Sequence, residues 1–180
     1  MRFRKMELRC AFSPVVDGKV LKEFPSSGAV KSKIPLLAGT VAEEANIFTL
    51  PVPAVALLIM GLKLGLKPQK KQKGLKRDWK HRLSDSVSKL IYFASVEKLC
   101  GSYKGRLARY KYSFVTAENR EKDLGCYHFS EVPVLFGWRN QDEECRKVSR
   151  VFCSLFKEFA WGSVSALESE ESLWLQVWKN

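Results

Sequence analysis

The sequence predicts an α/β protein in which a mostly parallel β-sheet is flanked by helices. Within 33–39 apolar residues run from Ile34 to Ala38 without alternation, and within 106–114 aromatic residues alternate with polar ones from Arg109 to Phe114, so each segment indicates a strand. Helical patterns follow both strands. At 180 residues, with 46% hydrophobic and 28% charged side chains, the chain is long enough to form one globular domain with its own core.

The first strand and the helix after it are expected from local signals. The run at 33–39 (KIPLLAG) does not alternate and ends in glycine, which is typical of a short strand buried on both faces of a parallel sheet. The next helix is expected to begin at Ser84 or Asp85, since either side chain could cap it, and to stop at Gly101. Its apolar face would consist of Val87, Leu90, Ile91 and Ala94.

The second strand, at 106–114, is followed by the clearest helical pattern in the sequence. Apolar residues recur there at the i, i+3, i+4, i+7 spacing: Val148, Val151, Phe152, Leu155, Phe156 and Phe159. Three acidic residues at 142–144 precede the stripe, where negative charge stabilises a helix N-terminus, and Gly162 lies beyond its end. We interpret the stripe as core packing.

The net charge of +12 is concentrated in one stretch. Residues 62–82 hold nine basic side chains and one acidic one, and thus eight of the twelve net positive charges. We expect a solvated, low-complexity loop at about 63–82, with His81 exposed in it. Such a run could bind phosphate backbones or an acidic membrane surface. Trp79 is its sole aromatic residue, however, and this disfavours a nucleic-acid partner.

Cysteine use and hydropathy indicate the compartment. Five cysteines with no C-x-x-C pair, and a start without an apolar leader segment, favour free thiols in a reducing, cytoplasmic environment. The longest apolar run, at 51–62, contains two prolines and is shorter than the roughly 20 residues of a membrane span. The sequence therefore predicts a soluble protein with no membrane span.

Two segments resemble the type-B carboxylesterase family, which includes the cholinesterases. Residues 12–21 (FSPVVDGKVL) and 33–48 (KIPLLAGTVAEEANIF) are similar to the family pattern P-V-V-D-G, a spacer, then v-P-l-l-x-G-x-x-x-D-E-G-x-x-F. Residues 124–137 (LGCYHFSEVPVLFG) are similar to l-G-a-x-H-x-x-E-l-P-y-v-F-g. Residues 110–114 (YKYSF) fit Y-x-Y-x-F, and 157–162 (KEFAWG) resemble F-A-x-x-G more weakly. The match extends over about 12–162 and is poor between 49 and 83.

This resemblance implies the C-terminal part of an α/β-hydrolase fold and a serine hydrolase that cleaves small carboxylic esters through an acyl-enzyme. Glu44 occupies the position of the triad acid and His128 that of the triad base. Each follows a predicted strand, so both side chains are expected at the same rim of the sheet. Ala45 replaces the family's glycine after the acid and would be strained if its backbone needed a positive φ.

The chain lacks the family's nucleophile. No G-x-S-x-G motif occurs, and residues 101–105 (GSYKG) carry tyrosine where the serine would stand. A glycine-rich oxyanion-hole segment is also absent, and in the family order both features would precede residue 1. We therefore expect an incomplete sheet, an inactive chain, and either poor solubility or association with an N-terminal complement chain.

Other interpretations stay open. A non-catalytic relative could keep the fold for binding, and a small basic protein could bind RNA or DNA through 63–82. Glu131, three residues after His128, suggests a metal pair, but with no third ligand evident we expect a structural role and neither metal nor cofactor. We expect Cys126 to be a packing residue.

Overall fold

The computed structural model describes residues 15–67, 78–138, 142–162 and 175–179. Along these ranges the elements are α1 (Pro25–Lys31), β1 (Leu36–Val41), α2 (Asn46–Thr49), α3 (Ala54–Lys63), α4 (Trp79–Ser88), a π-helical turn (Lys89–Phe93), α5 (Ala94–Ser102), β2 (Leu107–Tyr112), α6 (Ala117–Glu121), α7 (Val132–Leu135), α8 (Glu143–Trp161) and β3 (Leu175–Lys179).

The strands form one sheet in the order β1-β2-β3. β1 and β2 run parallel, and the described part of the chain between them contains α2 to α5, as in a crossover connection. β3 pairs antiparallel with β2, with Leu175 opposite Tyr112. The α/β class is therefore confirmed, but the three described strands make a mixed sheet instead of a mostly parallel one. β3 was not predicted from the sequence.

Both predicted strands are present with shifted ends. β1 begins at Leu36 and continues past Gly39 to Val41, and most of its residues are only half-buried because β2 is its single described neighbour. Gly39 does not end the strand. The ring of Tyr110, its partner on β2, covers the backbone so closely that a Cβ at position 39 would overlap it.

The helix expected from Ser84 or Asp85 begins earlier, at Trp79. Asp78 caps α4 by accepting a hydrogen bond from the backbone N–H of His81 at 2.9 Å. Ser84 is instead fully buried inside the helix. The prediction was wrong because Asp78 can cap the chain first, and a helix that has started needs no later cap.

The π-helical turn after α4 redirects the predicted apolar face. Val87 is buried, but Leu90, at the start of the turn, is 41% exposed. A π-turn adds a residue to the helical repeat, so positions beyond it rotate away from the face set by α4. Helix α5 then runs to Ser102, which places Gly101 in its last turn, close to the predicted end.

α8 confirms the strongest helical prediction. The carboxylate of Asp142 accepts a hydrogen bond from the backbone N–H of Cys145 at 2.6 Å, and Gly162 ends the helix with φ of 83°. Phe152 is completely buried and stacks on Tyr112 with ring centroids 5.4 Å apart. α8 therefore covers one face of the sheet. On the other face Arg109 forms an ion pair with Glu97 of α5.

Two predictions about the basic stretch need correction. α3 extends to Lys63 and α4 starts at Trp79, so 63–82 is not one loop; its part at 68–77 lies outside the described residues. His81 is not exposed in it, since its side chain is 12% exposed and its Nδ1 lies 2.9 Å from the Asp78 carboxylate. None of the helices in the described ranges combines the length and apolarity needed to cross a membrane.

The P-V-V-D-G segment, described from Val15 onward, has a structural explanation. One oxygen of the Asp17 carboxylate accepts hydrogen bonds from the backbone N–H groups of Lys19, Val20 and Leu21 at 2.9, 3.0 and 3.0 Å. The bonds from Leu21 and its neighbours hold the pKa of this carboxyl below its ordinary value. Gly18 has φ of 76°, where a side chain would be strained. The D-G pair thus builds a turn.

Candidate acid–histidine site

The two predicted site residues meet at one edge of the sheet. β1 and β2 are parallel, so their carboxyl ends lie side by side. Glu44 is in the turn three residues beyond the end of β1, and His128 is in the connection between α6 and α7 that follows β2. The expected convergence is therefore present. The catalytic roles of the two side chains remain a prediction.

The contact between them is short and buried on the acid's side. His128 Nδ1 lies 2.6 Å from Glu44 Oε2. The side chain of Glu44 is 6% exposed and that of His128 31% exposed. Glu44 Oε1 accepts a hydrogen bond from the backbone N–H of Val41 at 2.9 Å, so both carboxylate oxygens have partners. An ionised carboxylate only accepts hydrogen bonds, and Nδ1 must therefore carry the hydrogen.

This tautomer determines what the other ring nitrogen can do. With the hydrogen on Nδ1, Nε2 of the neutral ring has a free lone pair and can accept a proton. Within the described ranges Nε2 has no hydrogen-bond partner, although the ring is partly accessible. The arrangement can thus act as a general base whose orientation is held by a buried acid.

The turns that carry the two residues are tied together by backbone contacts. Glu43 N–H donates to the carbonyl of Cys126 at 2.9 Å, and Cys126 N–H donates to the Glu43 carboxylate at 2.7 Å. His128 N–H adds a bond of 3.3 Å to the carbonyl of Glu44. Gly125 is required here, because φ is 64° and a Cβ would overlap the Glu43 carboxylate. Glu43, the acid that precedes Glu44, therefore has a structural role.

Two buried serine hydroxyl groups form hydrogen bonds to the residues that follow Glu44 in the turn. Ser88 accepts a hydrogen bond from Ala45 N–H at 2.9 Å, and Ser84 donates to the side chain of Asn46 at 2.7 Å. Ala45 has φ of −83° and ψ of −8°, an ordinary helical conformation. The strain expected for a residue other than glycine at this position is therefore absent, because the turn leads directly into α2.

Aromatic rings surround the imidazole. The centroids of Phe48, Tyr92 and Phe129 lie 5.9, 5.0 and 4.5 Å from that of His128. Burial, and after it the negative charge of Glu44, raises the pKa of Tyr92. Phe48 and Phe129 are more than half exposed, so they form an open apolar border. The motifs did not indicate Tyr92, which lies in the π-helical turn between the motif at 33–48 and the one at 110–114.

Glu131 is a second acid near the histidine. Burial raises the pKa of its carboxyl group, and the charge of Glu44 adds to this effect. One of its oxygens, Oε2, is buried with no hydrogen-bond partner in the part of the chain that the structure describes. The suggested metal pair with His128 finds no third ligand there, since no group of three His, Cys, Asp or Glu side chains could hold an ion.

Cys126 is a packing residue in this geometry. It is completely buried, its sulfur lies 3.3 Å from the carbonyl oxygen of Tyr112, and burial raises its pKa to about 12. The thiol therefore stays protonated at neutral pH and cannot act as a nucleophile.

Comparisons with known proteins do not extend these observations. No model of a protein family matches the chain, and no curated protein is significantly similar to it. The fold and the site together define an α/β protein in which a buried glutamate holds a partly exposed histidine at the carboxyl edge of two parallel strands.

Proposed function

We propose that this chain is the C-terminal part of a serine carboxylesterase with an α/β-hydrolase fold, related to the type-B carboxylesterases. One observation carries the proposal: a buried Glu44 holds Nδ1 of His128, whose side chain is 31% exposed. The motif order also supports it, because acid precedes histidine in this class and the nucleophile precedes both. In this proposal the serine and the oxyanion donors belong to an N-terminal complement.

The proposed reaction is hydrolysis of a small carboxylic ester. His128 Nε2 would take the proton of the serine hydroxyl as the oxygen attacks the ester carbonyl, and would return it to the departing alcohol. Water would then cleave the acyl-enzyme by the same proton transfers. Glu44 would stabilise the imidazolium that forms in each half-reaction and would keep the ring in the required tautomer. No cofactor is needed for these steps.

The first test uses the chain alone. Without nucleophile and oxyanion donors we expect no turnover of p-nitrophenyl acetate above background and no labelling by a fluorophosphonate probe. Turnover by the purified chain that disappears in His128→Ala would contradict the assignment of roles, because the chain would then supply its own nucleophile.

The second test restores the missing half. Co-expression with the upstream half of a type-B carboxylesterase, which carries the G-x-S-x-G motif, should yield ester turnover and probe labelling of its serine. His128→Ala should lower kcat by about a thousandfold or more, and Glu44→Ala should also lower it. His81→Ala is the matched control, since His81 is the other histidine and is held by Asp78. Reconstituted activity that survives His128→Ala would refute the proposal.

A further inference from the structure

α3 presents an apolar face to the outside. Val55, Leu58, Ile59 and Leu62 are 70, 52, 47 and 72% exposed. Their spacing of i, i+3, i+4 and i+7 places all four on one stripe of the helix. Single exposed apolar residues are common in proteins, but a continuous stripe of large ones indicates a binding surface.

The opposite side of α3 holds the helix in place. Leu57 is completely buried, and Gly61 is buried against Leu83, whose Cδ2 would lie only 3.1 Å from a Cβ at position 61. The inward side therefore consists of packed residues, and the four-residue stripe cannot turn inward without breaking this contact. The apolar stripe is a fixed feature of the surface.

Two lysines lie at the C-terminal end of this face. Lys63 lies in the last turn of α3, and Lys67 follows it; both are exposed. Between residues 45 and 67 these two lysines are the charged side chains, and the sequence has no acidic residue there. A partner for this surface must therefore combine apolar groups with negative charge.

We propose that α3 docks on a lipid bilayer with anionic headgroups, with the apolar stripe at the headgroup–acyl boundary and the lysines at the phosphates. Short amphipathic helices bind bilayers in this way when an apolar face is combined with a basic segment. A nucleic acid would leave the stripe in water, and a second copy of this chain would bring two pairs of lysines together. The helix lies on the bilayer without crossing it. The proposal uses neither Glu44 nor His128, but it requires that an N-terminal complement leave the stripe uncovered, and vesicle binding that is lost on co-expression with the upstream half would overturn it.

Sedimentation of the full chain with vesicles tests the proposal. We expect binding to phosphatidylcholine vesicles that contain phosphatidylserine, weaker binding to phosphatidylcholine alone, and a decline as salt is raised. Leu58→Glu should reduce the bound fraction about tenfold or more, because it places a charge in the stripe. Lys63→Glu combined with Lys67→Glu should weaken binding and flatten its salt dependence. Val20→Glu is the matched control, since Val20 is 92% exposed elsewhere.

Circular dichroism checks that each variant is folded, and Val55→Glu replaces Leu58→Glu if the latter does not fold. The proposal is overturned if the chain ignores anionic vesicles, or if variants in the stripe bind as well as wild type. It is also overturned if ultracentrifugation without lipid shows a dimer that Leu58→Glu dissociates, since a second copy then covers the stripe. Retention on heparin without any binding to vesicles would assign the lysines to a nucleic-acid partner instead.

Discussion

Replacing Glu44 by glutamine should move the hydrogen of His128 from one ring nitrogen to the other. The carboxylate now accepts two hydrogen bonds, one from Val41 N–H at 2.9 Å and one from His128 Nδ1 at 2.6 Å. Glutamine has a single acceptor oxygen. If that oxygen keeps the bond to Val41, the amide NH₂ faces Nδ1, and Nδ1 must then become an acceptor.

The alternative orientation of the glutamine is less favourable. It would place the NH₂ group against Val41 N–H and leave that buried donor without a partner, because Val41 is 2% exposed. An unsatisfied buried donor costs about 1–3 kcal/mol, which favours the tautomer with hydrogen on Nε2 roughly five- to 150-fold. Such a ring cannot accept a proton at Nε2, so the same change should also reduce the activity of a reconstituted enzyme.

Long-range ¹H–¹⁵N correlation spectra of the imidazole nitrogens measure the tautomer directly, and the chain alone suffices. We expect the Nδ1–H form in wild type and the Nε2–H form in Glu44→Gln. His81 serves as an internal reference. Glu131→Gln is the matched control, because it neutralises another acid near His128 and should leave the tautomer unchanged. A wild-type ring already in the Nε2–H form, or no change in Glu44→Gln, would refute the reasoning.

Three further predictions concern stability and thiol chemistry. Gly125→Ala should destabilise the fold by about 2 kcal/mol or more in urea unfolding, because φ is 64° and the added methyl group would overlap the Glu43 carboxylate. Gly101→Ala is the control. Gly101 lies in helix α5 with open space around it, so this change should be neutral or slightly stabilising. A smaller loss for Gly125→Ala than for Gly101→Ala would contradict the turn geometry. Phe152→Ala should cost about 3–5 kcal/mol because its ring is completely buried, and an unchanged melting temperature would show that α8 does not pack on the sheet. Iodoacetamide at neutral pH should alkylate the exposed Cys153 before Cys126, because burial raises the pKa of Cys126 to about 12. Equal labelling of the two cysteine-containing peptides in mass spectrometry would contradict the burial of Cys126 between α6 and α7.

Some of the fold could be predicted because its signals are local. A repeated apolar spacing, an acidic cap and a terminal glycine predict α8, and all of them lie within 21 residues of chain. The alternation over 109–114 likewise predicts β2 from neighbouring residues. Glu44 and His128 were found through the motifs around them, each of which follows a strand. Parallel strands then bring their carboxyl ends to one edge, which explains why the two residues meet.

Other features depend on contacts that no local pattern contains. Ser84 resembled a helix cap, but its hydroxyl donates to Asn46, 38 residues earlier. In the sequence the exposed stripe of α3 is part of a continuous apolar run. The packing of Gly61 against Leu83 shows which side of the helix remains exposed. β3 was missed because a strand's pairing is decided by the sheet it joins.

The sequence alone determined the class of fold, the position of the longest described helix and the identities of an acid and an imidazole 84 residues apart. Tertiary structure decided their chemistry. The carboxylate is buried and already holds one backbone N–H, so its remaining oxygen selects the tautomer of the ring. That selection arises from a distance of 2.6 Å between atoms on separate turns, and such a distance exists only after β1 and β2 have paired.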